Sequence, residues 1–181
     1  MSSVDWTAVG SIASAIGVIV AIIVFIVESR RFIFTRAIDI LLQYDDKFNS
    51  SEFREIRRRA ASYLISGSKK EDKEGRQAIC DVLNFFETIA LLYKNKIIKD
   101  KMVWHTFSSW LLPYRKAAES YVVECRLQDP TSYEDTDILF KDILAIEQKR
   151  GGNVIGKSMI EVESIHSFLI YETELKNHNN C

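Results

Sequence analysis

The sequence predicts an all-α protein, in which one N-terminal transmembrane helix continues into a cytoplasmic bundle of about five further helices. Three observations support this class. An uncharged apolar run opens the chain, apolar residues recur at helical spacing after it, and only 2 prolines and 7 glycines occur in 181 residues. The chain that follows the run is long enough for one domain with a substantial core. The predicted divisions are an extracytoplasmic N-terminus, a transmembrane helix, a cytoplasmic helical domain and a disordered tail, over residues 1–5, 6–27, 28–175 and 176–181.

The apolar run extends from Trp6 to Val27 without a charged residue. At ~1.5 Å per residue, a helix of this length spans a hydrocarbon core of ~30 Å. Trp6 stands where an interfacial aromatic side chain anchors the outer end of such a helix. The run is followed by Arg30, Arg31 and Arg36, which form a stop-transfer pattern that stays on the cytoplasmic side. We therefore expect a single-pass protein of the inner membrane, with the lipid bilayer as a partner and the N-terminus outside. A buried core helix is the alternative.

Small residues recur at intervals of four within this run. Ala13, Gly17 and Ala21 form one such series, and Gly10 with Ser14 forms a second. Small residues at this spacing let the backbones of two helices approach closely. The pattern predicts a homo-oligomer that associates through this helix, although small residues are also common in such helices for compositional reasons.

The first helix is predicted to run from Thr7 to about Lys47, because no glycine or proline interrupts the chain between Gly17 and Gly67. Pro113 lies within the helix predicted over 100–127 and predicts a kink or break near Leu111. Helical stripes of apolar residues predict the further helices over 50–66, 74–95, 100–127, 133–150 and 157–175. Alternating residues at 159–163 leave a short strand as the alternative there.

Composition and motifs exclude several function classes. A net charge of −1 gives no support for nucleic-acid binding. Neither a disulfide scaffold nor a metal site is expected, since the cysteines and histidines lack ligand spacing. These residues are Cys80, Cys125, Cys181, His105, His166 and His178. Without a nucleotide-binding motif or a nucleophile paired with a base, we expect no catalytic residue, no cofactor and no enzyme activity.

Glu87 is the most informative charged residue, because it lies in the apolar phrase LNFFETIALL. A buried carboxylate needs a partner. The candidate partners are the arginines at Arg54, Arg57, Arg58, Arg59 and Arg126. One interpretation is a structural ion pair that fixes the register of two helices. The alternative is that Arg54, Arg57 and Arg58 bind an anionic ligand such as a phosphate or nucleotide. In a third interpretation, Arg57 to Arg59 form a solvated stripe or contact lipid headgroups.

Three phrases carry a resemblance to a known family: DWTAVGSIAS, LLQYDDKFNSSEFREIRRRAASYL and VLNFFETIALLYKNKIIKDKMVWHTFSSWLLPYRKAAESYVVECR. Over about Asp5 to Leu144, the chain resembles an uncharacterised bacterial family of small single-pass membrane proteins with a cytoplasmic helical domain. The resemblance implies that fold and topology, and it brings no activity with it.

The architecture is also similar to that of type VI CRISPR accessory membrane proteins. These proteins join an N-terminal membrane helix to a degenerate HEPN-like helical bundle and assemble as membrane pores. The HEPN nuclease signature places an arginine four to six residues before a histidine, and no histidine of this chain is preceded by one at that distance. This resemblance therefore implies the scaffold and the pore, but no nuclease activity.

The leading hypothesis is a non-enzymatic, self-associating membrane-anchored protein, whose cytoplasmic bundle binds a protein partner or senses a signal in antiviral defence. It depends on the small-residue series, the continuous first helix and the absence of catalytic motifs. One alternative is an oligomeric pore that depolarises the membrane. Another is a membrane-tethered, nucleotide-responsive or HEPN-like effector that uses Glu87 with the arginines at Arg54, Arg57 and Arg58.

Overall fold

The structure, a computed structural model, describes residues 6–67, 71–151 and 159–174, with only the helix backbone described over 6–15 and at Gly151. Within these ranges the chain forms seven helices and no strand, so the predicted all-α class is confirmed. The helices are α1 (Trp6–Asn49), α2 (Ser51–Ile65), α3 (Lys73–Lys94), α4 (Asp100–Ala117), α5 (Glu119–Arg126), α6 (Glu134–Gly151) and α7 (Val162–Thr173). The predicted divisions at 1–5 and 176–181 lie outside the described residues.

The chain divides into two compact units, one ending at Ile40 and the other beginning at Leu41. The first unit contains the N-terminal part of α1. Its described apolar side chains are solvent-exposed over most of its length, from Ile16 at 57% to Phe34 at 51%. No proline interrupts this helix, although its many valines and isoleucines have only moderate helix propensity.

The predicted transmembrane helix over 6–27 is not supported. No helix in the described part of the chain is both long and apolar enough to cross a membrane. This finding overturns the expected single-pass placement in the inner membrane.

The second unit is a bundle in which α2 packs on α3 and α7, while α6 packs on α3 and α4. Helical spacing predicted an apolar stripe on α3, and six residues of that stripe are at most 1% exposed: Ile79, Val82, Leu83, Phe86, Ile89 and Ala90. Their spacing of three and four residues places them on one side of the helix. The stripe therefore holds α3 at the centre of the bundle.

Aromatic rings fill the space where the end of α1 enters this bundle. Phe48 has no exposed surface, and its ring centroid lies 4.9 Å from that of Phe85 and 5.3 Å from that of Trp110. Phe53 and Phe107 approach Phe48 at 5.4 and 5.7 Å. Tilted and edge-on pairs at these distances are favourable for aromatic rings. The cluster joins the last turn of α1 to α2, α3 and α4.

The predicted helix over 100–127 is two helices, which explains why six helices follow α1 in the described ranges where about five were predicted. The break lies at Ala118, not near Leu111, and α4 continues through Pro113. Proline removes only one helical hydrogen bond, and its neighbours Leu112 and Tyr114 are fully buried. Packing thus holds the proline turn in a helical conformation, and the chain bends five residues later.

The last helix is shorter than predicted in its described part. Residues 159–161 form a turn and a bend, which argues against the alternative of a strand at 159–163. α7 then extends from Val162 to Thr173. It packs chiefly on α2, with Leu169 buried at 5% exposure and Glu172 at 0%. A carboxylate without exposed surface marks this helix as part of a polar site.

Candidate functional site

Arg57 and Glu172 form an ion pair in the interior, between α2 and α7. The Nε of Arg57 lies 3.0 Å from Oε2 of Glu172, and the two side chains are 3% and 0% exposed. The Nη2 group donates a hydrogen bond to Oε1 at 3.4 Å. Two opposite charges removed from water in this way require each other, because either alone would be strongly destabilising.

Tyr114 on α4 adds a third helix to this pair. Its hydroxyl donates a hydrogen bond to Oε2 of Glu172 at 2.8 Å, and it also lies 3.1 Å from the carbonyl oxygen of Arg57. Burial, followed by the charge of Glu172, raises the pKa of Tyr114 well above its ordinary value. The phenol therefore remains a hydrogen-bond donor throughout the physiological pH range.

Aromatic rings and a backbone carbonyl complete the surroundings of Arg57. The guanidinium carbon lies 4.3 Å from the ring centre of Phe48 and 5.6 Å from that of Trp110. Nη1 donates to the carbonyl oxygen of Phe48 at 3.4 Å. The Nε–H makes no hydrogen bond despite its short distance to Glu172. This closed environment fixes three helices together and leaves no space for an anionic ligand at Arg57.

The other predicted arginines of α2 point elsewhere. Arg58 is 42% exposed and pairs with Glu55 one turn earlier, with Nη2 2.6 Å from Oε1. Hydrogen bonding from Arg58, with a smaller contribution from Arg59, lowers the pKa of Glu55 from 4.5 to about 2. Arg54 is half-buried and its side chain makes no ion pair with another described residue. The predicted cluster of Arg54, Arg57 and Arg58 therefore does not converge on one site.

Glu87 makes a different contact from the one proposed on sequence grounds. It accepts hydrogen bonds from the backbone N–H of Thr136 at 2.9 Å and from the hydroxyl of that residue. Thr136 is in the first turn of α6, where backbone N–H groups lack helical partners and the helix dipole favours a negative charge. Among the described residues, no arginine forms an ion pair with Glu87. The carboxylate thus caps α6 from the side of α3.

Arg126, at the end of α5, contacts the beginning of α6. Its Nε donates to the carbonyl oxygen of Ser132 at 3.0 Å, and its Nη2 donates to Asp137 Oδ2 at 2.7 Å. Arg115 of α4 binds the other oxygen of Asp137, with Nε at 2.6 Å. Two guanidinium groups therefore share one carboxylate where three helices meet.

A cleft of about 300 Å³ opens beside these groups, between the end of α4, α5 and α6. It is lined by Arg115, Lys116, Glu119, Val123, Arg126, Asp137, Phe140 and Lys141. Four of these side chains are basic and two are acidic, so the cleft carries an excess of positive charge. Unlike the surroundings of Arg57, this site is open to solvent.

The residues predicted for self-association lie on α1. Gly17 and Ala21 are exposed, and nothing lies within 4 Å of the position that a Cβ atom would occupy at Gly17. The other predicted self-association positions, Gly10, Ala13 and Ser14, and the predicted interfacial Trp6 lie in the part of α1 where only the backbone is described.

The predicted topology residues, Arg30, Arg31 and Arg36, are all exposed on α1. Arg31 lies 3.5 Å from Glu28, and the guanidinium of Arg36 lies 5.4 Å from the ring centre of Phe32. These contacts join neighbouring turns of the same helix. They leave the charged heads in solvent.

Metal ligands do not gather in the described ranges, where no group of three or more His, Cys, Asp or Glu side chains could hold an ion. Cys80 and Cys125 are free thiols. The hydroxyl of Tyr133 donates a hydrogen bond to the sulfur of Cys80 at 3.7 Å. This contact joins α3 to the residue before α6.

Sequence reasoning missed Glu172, Tyr114 and Asp137. Glu172 carried a usable signal, since it lies three residues after Leu169 and seven after Ile165 on the apolar stripe of α7. A carboxylate on such a stripe predicts a buried partner, just as it did for Glu87. No comparable signal marked Asp137, because it lies among other acidic residues at the start of α6.

Comparison with the curated proteins and comparison with the solved structures each gave no match. One family matches, described as Domain of unknown function (DUF4760), over residues 11–143. The matched range includes Arg57, Glu87 and Arg126, and it ends within α6 before Glu172 is reached. Because the match covers well over half of the chain, the protein belongs to this DUF4760 family.

Proposed function

We propose that the protein is non-enzymatic and self-associating, and that the N-terminal part of α1 joins several copies whose helical domains bind a partner. The exposed apolar surface of α1 carries this proposal. Between Ile16 and Val27, every large apolar side chain is between 42% and 73% exposed. Soluble proteins rarely expose a continuous apolar surface of this extent unless another molecule covers it.

The distribution of these side chains favours more than two copies. Consecutive positions from Val18 to Val20 and from Ile22 to Val27 are all apolar, so every side of the helix is apolar. One partner helix covers a single stripe, whereas a helix that is apolar all round needs several neighbours. A second copy of the chain supplies an equally apolar surface, so no charged side chain would be buried where the two helices meet.

Small side chains provide the place for close contact between helices. Gly17 and Ala21 are one turn apart on the same face, and the space above Gly17 is open. Packing of backbones across such positions gains van der Waals contacts that larger residues prevent. A Cβ atom at Gly17 would therefore meet no described atom of the same molecule within 4 Å.

The buried and half-buried charges of the helical domain hold its helices together, and this supports a role in binding a partner. Arg57, Glu172 and Glu87 each serve contacts between helices rather than facing an open site. This arrangement stabilises a rigid bundle. A rigid bundle whose copies are held together by α1 presents several identical surfaces to one partner, which raises the effective affinity for that partner.

Gly17→Leu tests the association directly. We expect native mass spectrometry of the full-length protein in aqueous buffer without detergent to detect an oligomer of more than two copies. We expect the variant to weaken association about tenfold, because the leucine prevents close approach of the backbones. Ser62→Leu is the matched control, since Ser62 is also exposed and lies in the helical domain. A monomeric wild-type protein, or an oligomer unchanged by Gly17→Leu, would contradict the proposal.

A further inference from the structure

We propose that the cleft between α4, α5 and α6 binds a small phosphate ester, with the phosphate at its basic side chains and an apolar or aromatic body against Phe140 and Val123. The inference is independent of self-association, because every lining residue belongs to the helical domain. The cleft volume of about 300 Å³ corresponds to the lower end of the range for small-molecule sites.

The charge of the cleft favours an anion. Asp137 provides one negative charge for the two guanidinium groups of Arg115 and Arg126. Lys116 is paired with Glu119, with Nζ 2.7 Å from Oε2. Lys141 forms no ion pair with any other described residue. The four basic and two acidic side chains therefore leave two positive charges without a counter-charge.

Both arginines also keep hydrogen-bond donors that have no partner among the described residues. Arg115 uses Nε and Nη2 for Asp137, and Arg126 uses Nε and Nη2 for backbone carbonyls and Asp137. The Nη1 group of each makes no hydrogen bond with another described residue. Because Asp137 fixes both side chains, these donors are already ordered before a ligand arrives, which lowers the entropic cost of binding. Guanidinium groups suit phosphate oxygens in both geometry and charge.

The two apolar residues distinguish the proposed ligand from a free inorganic anion. Val123 is 58% exposed and lies on α5 one turn before the arginine. Phe140 is half-buried on α6, one turn after the carboxylate. Both adjoin the basic groups in the same cleft. A ligand that carries an apolar or aromatic body next to its phosphate would cover them and gain the corresponding hydrophobic free energy.

Another cavity of the same domain provides a contrast. It has a volume of about 360 Å³ and contains Lys47 with the acidic residues Glu52 and Asp81. Its excess charge is negative, so it does not suit an anion. The preference for a phosphate ester therefore applies to the cleft at Arg126 and not to clefts of the domain in general.

The test is calorimetric titration of the full-length protein with adenosine monophosphate and with inorganic phosphate at low salt. We expect adenosine monophosphate to bind more tightly than phosphate, and Lys141→Glu to weaken its binding about tenfold by reversing an unpaired charge. Lys101→Glu is the matched control, because Lys101 is likewise exposed on a helix but lies outside the cleft. It should change the affinity by less than about twofold.

Val123→Ser tests the apolar part of the cleft independently of its basic part. Val123 is exposed, so the substitution is not expected to prevent folding. We expect this variant to weaken adenosine monophosphate about threefold and to leave phosphate unchanged. Equal affinities of the wild-type protein for both probes would overturn the proposed apolar body. The proposed site would be overturned if neither probe bound at millimolar concentration. It would also be overturned if Lys141→Glu and Lys101→Glu weakened the binding of adenosine monophosphate equally.

Discussion

Arg57 and Arg58 are neighbours in the chain, yet they lie on different sides of α2. Arg57 is 3% exposed and pairs with Glu172, which lies 115 residues later. Arg58 is 42% exposed and pairs with Glu55 in the preceding turn. The inner pair joins helices that are distant in sequence, whereas the outer pair stabilises only its own helix. The same side chain therefore has a tertiary role on one face and a local role on the other.

The difference shows why a run of arginines does not define a ligand site. Successive helical positions are separated by about 100° around the axis, so Arg57, Arg58 and Arg59 point in different directions. The side chain that enters the core is fully occupied by Glu172 and the surrounding rings. The side chains that remain in solvent are occupied by Glu55. An accessible basic site arises at Arg126 instead, where three helices contribute.

Of the substitutions that test the inner and outer ion pairs, Glu172→Ala is expected to lower the free energy of unfolding the most. It leaves Arg57 buried without its counter-charge and removes the acceptor of Tyr114. Loss of one partner from a buried pair costs about 3–5 kcal/mol of unfolding free energy. Urea denaturation of the full-length protein measures this loss. Glu174→Ala is the control, because Glu174 is exposed at the end of the same helix, and it should cost less than about 0.5 kcal/mol.

A double substitution sharpens this result. Arg57→Leu combined with Glu172→Leu removes both charges, and we expect it to recover most of the stability lost in Glu172→Ala. Losses that simply add, or a Glu172→Ala protein as stable as the wild type, would contradict the view that this pair is a closed, mutually dependent unit.

Glu87→Ala is expected to have an intermediate effect. The carboxylate satisfies an N–H group in the first turn of α6 and faces the positive end of its dipole. Loss of such a cap costs about 1 kcal/mol. Thermal or urea unfolding measures the change, with Glu174→Ala as an exposed control. If Glu87 instead formed a buried ion pair with an arginine, the loss would be several-fold larger, and a carboxylate-to-alanine cost above about 3 kcal/mol would reject the capping role.

The smallest expected effect is the pH dependence of the outer pair. Arg58 holds the pKa of Glu55 at about 2, below the ordinary 4.5, so folding favours the ionised carboxylate. Its stabilisation is present above about pH 4.5 and is lost as the pH falls toward about 2. Exposed pairs contribute about 0.2–1 kcal/mol, so the difference between the wild type and Glu55→Gln should not exceed this range at neutral pH.

Unfolding free energies of both proteins, measured from pH 7 downward, check this prediction. The difference between them should disappear only as the pH falls below about 2, because both proteins then carry a neutral side chain at position 55. A constant difference across the whole pH range would show that Glu55 acts through packing instead of charge.

Much of the fold was predictable because it follows from local periodicity. The stripe of α3 predicted its buried face from Ile79 to Ala90, and the bounds of α2 and α6 lie within one or two residues of those expected. The break after α4 was placed wrongly, since a proline signal was taken to dominate where packing at Leu112 and Tyr114 holds the helix together. The single-pass membrane placement was also wrong, because no helix in the described part of the chain is long and apolar enough to cross a membrane.

The candidate site was less predictable because its contacts join residues that are far apart in the chain. Sequence reasoning identified Arg57, Glu87 and Arg126 as unusual, but it could not assign their partners. Those partners are Glu172, Thr136 and Asp137, which lie on α6 and α7. The direction of each side chain depends on the packing of whole helices, and no spacing in the sequence specifies that arrangement.

The distance in sequence between Arg57 and Glu172 also bears on the order in which the protein is made. The chain leaves the ribosome from its N-terminus, so α2 is complete long before α7 exists. Until residue 172 emerges, Arg57 has no buried carboxylate to pair with, and the surface of α2 that α7 covers remains open to water. Closure of the helical domain is therefore a late event of synthesis, and nascent chains that end before α7 should be the forms most dependent on chaperones.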